Sequence, residues 1–438
     1  MSDAQAVSRF ELARLNPVER AWLLERAETD LAPFLDAVRP IIEAVRADGD
    51  EALVRFAREL ERAEVDGLRA SEAEFERAHA SLEPEVGAAI DYAVANIRRF
   101  HEAQMPQEMW LKEIRPGAFA GDRYRPIPSV ACYVPRGKGA FPSVTMMTTI
   151  PAVVAGVPKI AVITPPGPDG RVDDATLVAA HKAGVAEVYK CGGAQGVAAV
   201  TFGTATVPRV AKIIGPGSRY VVAAKRLLAD RIDTGLPAGP SEAIVLADGS
   251  ANGRIAALDL VIESEHGPDS SAFLVTDTPA VAEATVTALP GIWAELGVQR
   301  AEFSRAVLGG PRGGVVLARD MAEAIAFVND YAPEHLEVLS DDPFAWLGRI
   351  EHAGEILLGP HTPIVLGNFV LGPDCVLPTG GWARTFSPLS VFDFLKRSSL
   401  GYVTRGAYPE LAHHARILAT YEGFAGHAHA ISSARDEK

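Results

Sequence analysis

The sequence predicts an α/β fold carrying parallel-type sheets covered by helices, and three observations lead there. From Ser129 onward, short β-rich apolar runs alternate with Gly/Pro turns and helix-length stretches: Val130 to Val134, Ile160 to Thr164, Glu187 to Tyr189, Lys212 to Ile214. A second set repeats that texture at Ala243 to Leu246, Ala272 to Val275, Gly314 to Leu317 and Glu355 to Leu358. Such alternation is the sequence form of βαβ units in a sheet buried on both faces. The segments before and after these sets carry helical patterns instead.

Residues 10–115 read as mostly helical. Val38, Ile41, Ile42 and Val45, then Ala52, Leu53, Phe56 and Leu60, recur at helical spacing with charges between them, and Gly49 separates the two patterns. Beyond Ser387 the chain reads as helical to its end, and 408–430 is rich in Ala, Leu and His.

With 438 residues, 48% hydrophobic and 22% charged, the chain has the length for two or three domains and the composition of an ordinary globular protein. A formal charge of −14 argues against a nucleic-acid surface or a polybasic membrane patch. It leaves open a small anionic substrate, which needs only one or two local cations. No apolar run approaches the roughly 20 residues that span a bilayer. Met1 to Arg9 lacks a basic stretch followed by an apolar one, and Cys132, Cys191 and Cys375 are odd in number and widely spaced. A cytoplasmic protein with reduced thiols is therefore expected.

Residues 329–336, Asn-Asp-Tyr-Ala-Pro-Glu-His-Leu, set a carboxylate beside an imidazole just after the helix-like run Met321 to Val328. Pro333 disfavours helix at Ala332, so Glu334 and His335 are expected on a short turn. Carboxylate and imidazole are the groups best suited to proton transfer near neutral pH. Alone, such a dipeptide is more often solvated surface.

Cys-Gly-Gly-Ala-Gln-Gly from 191 and Ile-Ile-Gly-Pro-Gly-Ser to 218 each follow a predicted strand, where glycines let backbone N–H groups approach a ligand. The G-x-G-x-x-G fingerprint is absent in its expected context, so plain tight turns compete with a nucleotide site. Glu263 and His266 are three apart and share a helix face, which suits one metal ion or simply a surface helix end. A metal needs further ligands, and His427 or His429, in a Gly/Ala-rich segment, could supply them. The long Gly/Pro-dense stretch 372–390 also holds Val376, Leu377, Trp382 and Phe386, which disfavour disorder. It reads as an active-site wall or a structural hinge.

Seven segments together carry a resemblance. Tyr-Val-Pro (133–135), Cys-Gly-Gly-Ala-Gln (191–195), Gly-Pro-Gly (215–217) and Ala-Gly-Pro-Ser-Glu (238–242) are similar to the histidinol dehydrogenase family. So are Glu-His-Gly-Pro-Asp-Ser (265–270), the 329–336 segment and Val-Leu-Pro-Thr-Gly-Gly (376–381), in the family's order from about Val38 to His427. The resemblance implies an intertwined homodimer of two incomplete Rossmann-like domains, zinc, NAD, and four-electron oxidation of an alcohol through an aldehyde to a carboxylate. It implies an N-terminal arm at 1–25 and a discontinuous first α/β domain at 26–128 and 242–386, with a helical N-terminal part. A second, NAD-side domain at 129–241 and a C-terminal helical segment at 387–438 reaching the partner subunit complete the division.

By position, the resemblance makes Glu334 the activator of water and His335 the proton-transfer base. Tyr133, Gln195 and the turn from Gly215 to Ser218 would touch NAD. Ser241, Asn368, Cys375 and Glu422 would face substrate, and Glu263, His266, Asn368 and His427 would hold zinc. The family's zinc set is Gln, His, Asp and His, so an amide and an acid have traded places at Glu263 and Asn368 with the formal charge conserved. Oxygen and nitrogen donors of these types still suit zinc.

The family's substrate-facing His is Cys375 here, and a thiol does not replace an imidazole as a hydrogen-bonding partner. Arg136 and Lys138 bring cations toward an anionic group, either the substrate's or the pyrophosphate of NAD. The expectation is thus a family member acting on a small anionic alcohol, with 2,3-dihydroxypropane-1-sulfonate oxidised to sulfolactate as the best fit. The alternatives are histidinol oxidation to histidine, and a non-catalytic NAD- or metabolite-binding paralogue, against which the intact acid/base pair counts.

Overall fold

The computed structural model describes residues 7–26, 31–136, 139–431 and 435. The chain divides into two compact units, Met1–Gln104 with Pro128–Phe394, and Met105–Ile127 with Leu395–Lys438.

The first unit opens with strand β1 (Arg9–Glu11) and helix α1 (Pro17–Leu23). Asn16 starts α1 through a capping box with Glu19, and Pro17 sits at the first helical position. Four helices follow: α2 (Ala32–Asp48), α3 (Asp50–Leu60), α4 (Glu72–Ser81) and α5 (Pro84–Gln104). Gly49, at φ +57°, makes the break between α2 and α3 that the sequence marks. Strands β2 (Met109–Arg115) and β3 (Ala118–Pro126) then belong to the second unit, so the helical expectation for 10–115 fails after Gln104. Met109–Arg115 is exposed along its whole length, so neither a helical stripe nor a period-2 alternation marks it, and its pairing with β3 is what makes it a strand.

From β4 (Val130–Tyr133) the βαβ alternation appears as expected: α6 (Pro142–Val154), β5 (Ile160–Thr164), α7 (Asp174–Ala183), β6 (Val188–Lys190), α8 (Gly193–Phe202), β7 (Lys212–Ile214) and α9 (Arg219–Leu228). These strands form a four-stranded parallel sheet in the order β6-β5-β4-β7. Helices α2 and α3 pack on this sheet: Val38, Ile42, Leu53 and Phe56 share one core with Ala131, Ile163, Ala198 and Val221. The expected division assigned these helices to the other α/β domain. Their apolar stripes are satisfied here instead, which no local pattern discloses.

The second set is β8 (Glu242–Ala247), α10 (Gly253–Ser264), β9 (Ser271–Thr276), α11 (Pro279–Glu295), α12 (Val298–Leu308), β10 (Gly313–Leu317), α13 (Met321–Tyr331), β11 (His335–Leu339), α14 (Phe344–Leu347), β12 (Glu355–Leu358) and α15 (Ile364–Leu366). With β1 as its edge, it makes a six-stranded parallel sheet in the order β1-β10-β9-β8-β11-β12. Both faces are covered, one by Val245, Leu260, Leu274 and Leu289, the other by Ile244, Phe273, Phe327 and Val338. The parallel sheets and their flanking helices confirm the α/β class.

In the second unit, β13 (Leu395–Val403) pairs antiparallel with β3, which pairs with β2. Helices α16 (Tyr408–Tyr421) and α17 (Ala425–Ala430) follow. The segment beyond Ser387 is therefore not helical throughout, because its first part is the strand that completes this sheet.

Candidate active site

Helix α13 stops at Ala332, whose φ of +52° puts a non-glycine residue in the left-handed region. Pro333 follows and cannot continue a helix. Glu334 lies in the resulting turn, while His335 is already the first residue of β11, buried on both sides of the sheet. Its parallel neighbours are Ala243 on β8 and Glu355 on β12.

A continuous polar chain runs from this point. The Glu334 carboxylate accepts the backbone N–H of Glu242 at 2.9 Å and lies 3.6 Å from His335 Nδ1. His335 Nε2 is 3.1 Å from Asn368 Oδ1, and Asn368 Nδ2 donates to Glu263 Oε1 at 3.3 Å. Glu263 Oε2 in turn lies 2.7 Å from His266 Nδ1, and the Ser241 hydroxyl donates to the same carboxylate. Residues from three sequence regions, 241–266, 334–335 and 368, thus meet. The group gathers at the amino ends of β8, β11 and β12, beside the C-terminal ends of α10 and α13. Ligands of open α/β sheets usually bind at the carboxyl ends of the strands. Helix C-termini favour a cation.

The electrostatics follow from burial and mutual charge. Burial favours the neutral form of Glu263, but the charges of His266 and His335 and hydrogen bonds from His266 and Ser241 outweigh it and bring its pKa to about 2. Burial would likewise lower His335. The charges of Glu334 and Glu263, a hydrogen bond to Glu334 and the nearby Glu355 instead raise it to about 10. Burial holds Glu334 above the usual carboxylate range, against the lowering effect of His335.

Asn368 sits in a single π-helical turn, Gly367–Leu371, a local irregularity common at functional sites. Glu355 is a site residue that the sequence motifs missed. Its carboxylate is buried, and a Cβ on Gly367 would stand 2.6 Å from Glu355 Oε1. The available signal was a lone acid heading an otherwise apolar strand. Cys375 is half-buried, and burial together with Asp374, Glu355 and Glu334 keeps its thiol protonated. Asp374, also unanticipated, accepts the Val376 N–H at 2.8 Å and lies 3.8 Å from His101 Nε2.

A second group forms at the carboxyl edge of the four-stranded sheet. Its strand order reverses between β4 and β7, the switch point where dinucleotides bind in doubly wound folds. Tyr133 closes β4, and its buried hydroxyl accepts the Gly193 N–H at 3.1 Å. Gly215 follows β7 at φ +107°, and a Cβ there would come within 2.2 Å of the Tyr133 carbonyl oxygen. Ser218 is the exposed N-cap of α9 and makes no side-chain capping bond. Gln195, in α8, donates to Glu61 Oε1 at 3.3 Å. Arg136 lies on the same edge, its guanidinium against Gly167, its charge lowering the pKa of Glu61, which burial raises. Lys138 lies outside the described residues. Glu422 and His427 belong to the second unit, the first as C-cap of α16, the second in α17, both exposed.

Residues 24–435 match the family described as histidinol dehydrogenase. The chain belongs to the histidinol dehydrogenase family. It is 63% identical over its whole length to histidinol dehydrogenase homolog 2 of Mesorhizobium japonicum, covering 99% of that protein. It is 47% identical to the histidinol dehydrogenase of Synechocystis sp., over 96% of this chain and 98% of that one. The crystal structure of histidinol dehydrogenase from Elizabethkingia anophelis superposes with a TM-score of 0.93 at 30% identity, covering 98% of each chain. Family membership makes this an NAD-dependent oxidoreductase of the alcohol dehydrogenase type. Zinc and NAD are the family's general cofactors.

The residues present fit both groups. Glu263, His266 and Asn368 offer an anionic carboxylate, an imidazole and an amide oxygen linked by direct contacts, a set that suits zinc. Among the described residues, no third His, Cys, Asp or Glu completes a metal-holding cluster, so a further donor has to come from elsewhere. For NAD, the glycine turn at 215–217 lies at the sheet's switch point, with Gly215 packed so closely on the Tyr133 backbone that a side chain there would collide with it.

Proposed function

We propose that this protein carries out a zinc- and NAD-dependent, two-step oxidation of a primary alcohol through an aldehyde to a carboxylate, on a substrate other than histidinol. The observation that carries the reaction type is the unbroken contact chain Glu334–His335–Asn368–Glu263–His266. It couples an acid/base pair to a metal-donor set. When bound, zinc would polarise the substrate oxygen, and two NAD molecules in succession would each accept one hydride.

His335 takes the alcohol proton at Nε2, the ring nitrogen on the Asn368 side, while Nδ1 faces the Glu334 carboxylate. Without a cation nearby, the surrounding acids hold this imidazole protonated. A divalent ion held by the Glu263 carboxylate and the neutral Asn368 amide would offset the carboxylates' charge and return His335 to the range of a base. In the second half, Glu334, fixed by the Glu242 N–H, draws a proton from the water that attacks the aldehyde.

Glu263, His266 and Asn368 hold zinc, with His427 of α17 as the fourth donor in the site of a second copy. An obligate homodimer follows. The second unit supports this, because Trp110, Leu111, Ile114, Ile417, Leu418 and Tyr421 are all exposed on it. Glu422 and Ser241 contact substrate in this reading, and Tyr133, Gln195, Gly215 and Ser218 contact NAD. Strand β1 and the sheets within 129–241 and 242–386 serve as the framework.

A non-histidinol substrate is supported by Cys375, a protonated thiol where the family pattern has a substrate-facing imidazole. The Mesorhizobium relative's designation as a homolog agrees. Loss of the partner for a cationic, imidazole-bearing substrate favours an anionic diol, with 2,3-dihydroxypropane-1-sulfonate to sulfolactate as the preferred reaction. Arg136, beside Gly167 and Glu61, suits the pyrophosphate better than the substrate. The test is an NADH-release screen of histidinol against sulfonated and other anionic diols. Turnover of a sulfonated diol with two NADH per substrate is expected. Efficient turnover of histidinol alone would overturn the substrate assignment.

A further inference from the structure

Helix α9 buries Val221, Ala224 and Leu228 against the four-stranded sheet. Lys225 falls on this same stripe, one residue after Ala224, where an apolar side chain would be expected. Its Nζ reaches back past the start of the helix and donates to the Gly215 carbonyl at 2.7 Å. Burial alone accounts for the fall of its pKa to about 8, and among the described residues no ion pair involves it. Lys225 is half-buried, and a cation partly withdrawn from water without a counter-charge is costly, so its hydrogen bond at the switch point is what gives its position meaning. The carbonyl it holds belongs to Gly215, whose missing side chain lets it lie against Tyr133 at the sheet's switch point.

We infer that Lys225 is a positioning residue for the dinucleotide: it pins the Gly215–Ser218 turn so that the turn's backbone can receive the cofactor's phosphates, which answer its charge. One of its three N–H donors is fixed on Gly215, and the positive charge lies directly behind the turn. An anion there turns an uncompensated cation into a compensated one. Cofactor binding and the conformation of the turn therefore support each other. This inference rests on the NAD reading given above, and goes beyond it by naming a residue that acts through the turn.

The test compares the native holoenzyme with Lys225→Met, which keeps length and removes charge, and with Lys225→Gln and Lys225→Arg. NADH binding is followed by fluorescence titration, alongside thermal melts and KM values for NAD and alcohol. Expected for Lys225→Met is an NADH Kd raised about tenfold or more, with the alcohol KM within twofold and the melting temperature unchanged or higher. Lys225→Arg should recover part of the affinity. NADH binding within twofold of native in both Met and Gln variants would overturn the inference, as would a lowered melting temperature with NADH affinity intact, which marks a merely structural clamp. A native protein that binds no NADH would instead remove the NAD reading, and the inference with it.

Discussion

His335 and Glu355 stand side by side in the parallel register of β11 and β12, so an imidazole and a buried carboxylate share one face of the sheet. Burial and the neighbouring acids raise Glu355 to about 7, against the opposing effect of His335, while Glu355 adds to the negative charge that raises His335.

Removing that charge should ease deprotonation of the base. A base is active when unprotonated, so activity climbs with pH through its pKa, and lowering that pKa shifts the climb toward acid. Glu355→Gln is expected to move the acid limb of the kcat/KM profile down by roughly half a unit to one unit. An unmoved limb would mean that Glu355 does not sense the base.

Purified protein should hold about one zinc per chain, and chelation should abolish activity. His266→Ala and His427→Ala should each lose the metal, measured by elemental analysis, with the fold retained by circular dichroism. If His427 serves a partner's site, mixing His427→Ala with His335→Ala under subunit exchange should restore part of the activity. Proven exchange without recovery would place the whole site within one chain.

Arg136→Ala should raise the KM for NAD about tenfold or more, the loss of one charge-assisted contact, and leave the alcohol KM nearly unchanged. The reverse pattern would assign this cation to the substrate.

Glu337 is fully buried on β11, and burial with the facing Asp259 raises its pKa well above its ordinary value of 4.5. A raised folded-state pKa means that this group's stabilising contribution is complete below pH 4.5 and is lost as pH rises toward the folded value. Gln at this position keeps a donor toward Asp259 and has no proton to lose. Glu337→Gln should match the native melting temperature near pH 5 and exceed it at pH 9, by about 1–4 kcal/mol in stability. Parallel melting curves across that pH range would refute a protonated Glu337.

The sequence by itself determined the α/β class, because strands buried on both faces must be short and continuously apolar, and βαβ connections leave regular glycine turns between them. Seven motifs in register also determined the family, and with it Glu334, His335, Glu263, His266 and Asn368 as candidates. Pro333 ended the helix where its covalent geometry requires. What needed the tertiary structure was every relationship between distant segments. The stripes of α2 and α3 announce that they are buried without saying against which sheet, and the hairpin at 109–126 waits for a partner strand nearly 270 residues later. Glu355 and Lys225 looked unremarkable in sequence, because a lone acid or amine acquires meaning only from its neighbours: one from strand register beside His335, the other from reaching the Gly215 carbonyl. Local pattern reports a residue's own preferences, whereas a site is made of distances between residues that the chain brings together only on folding.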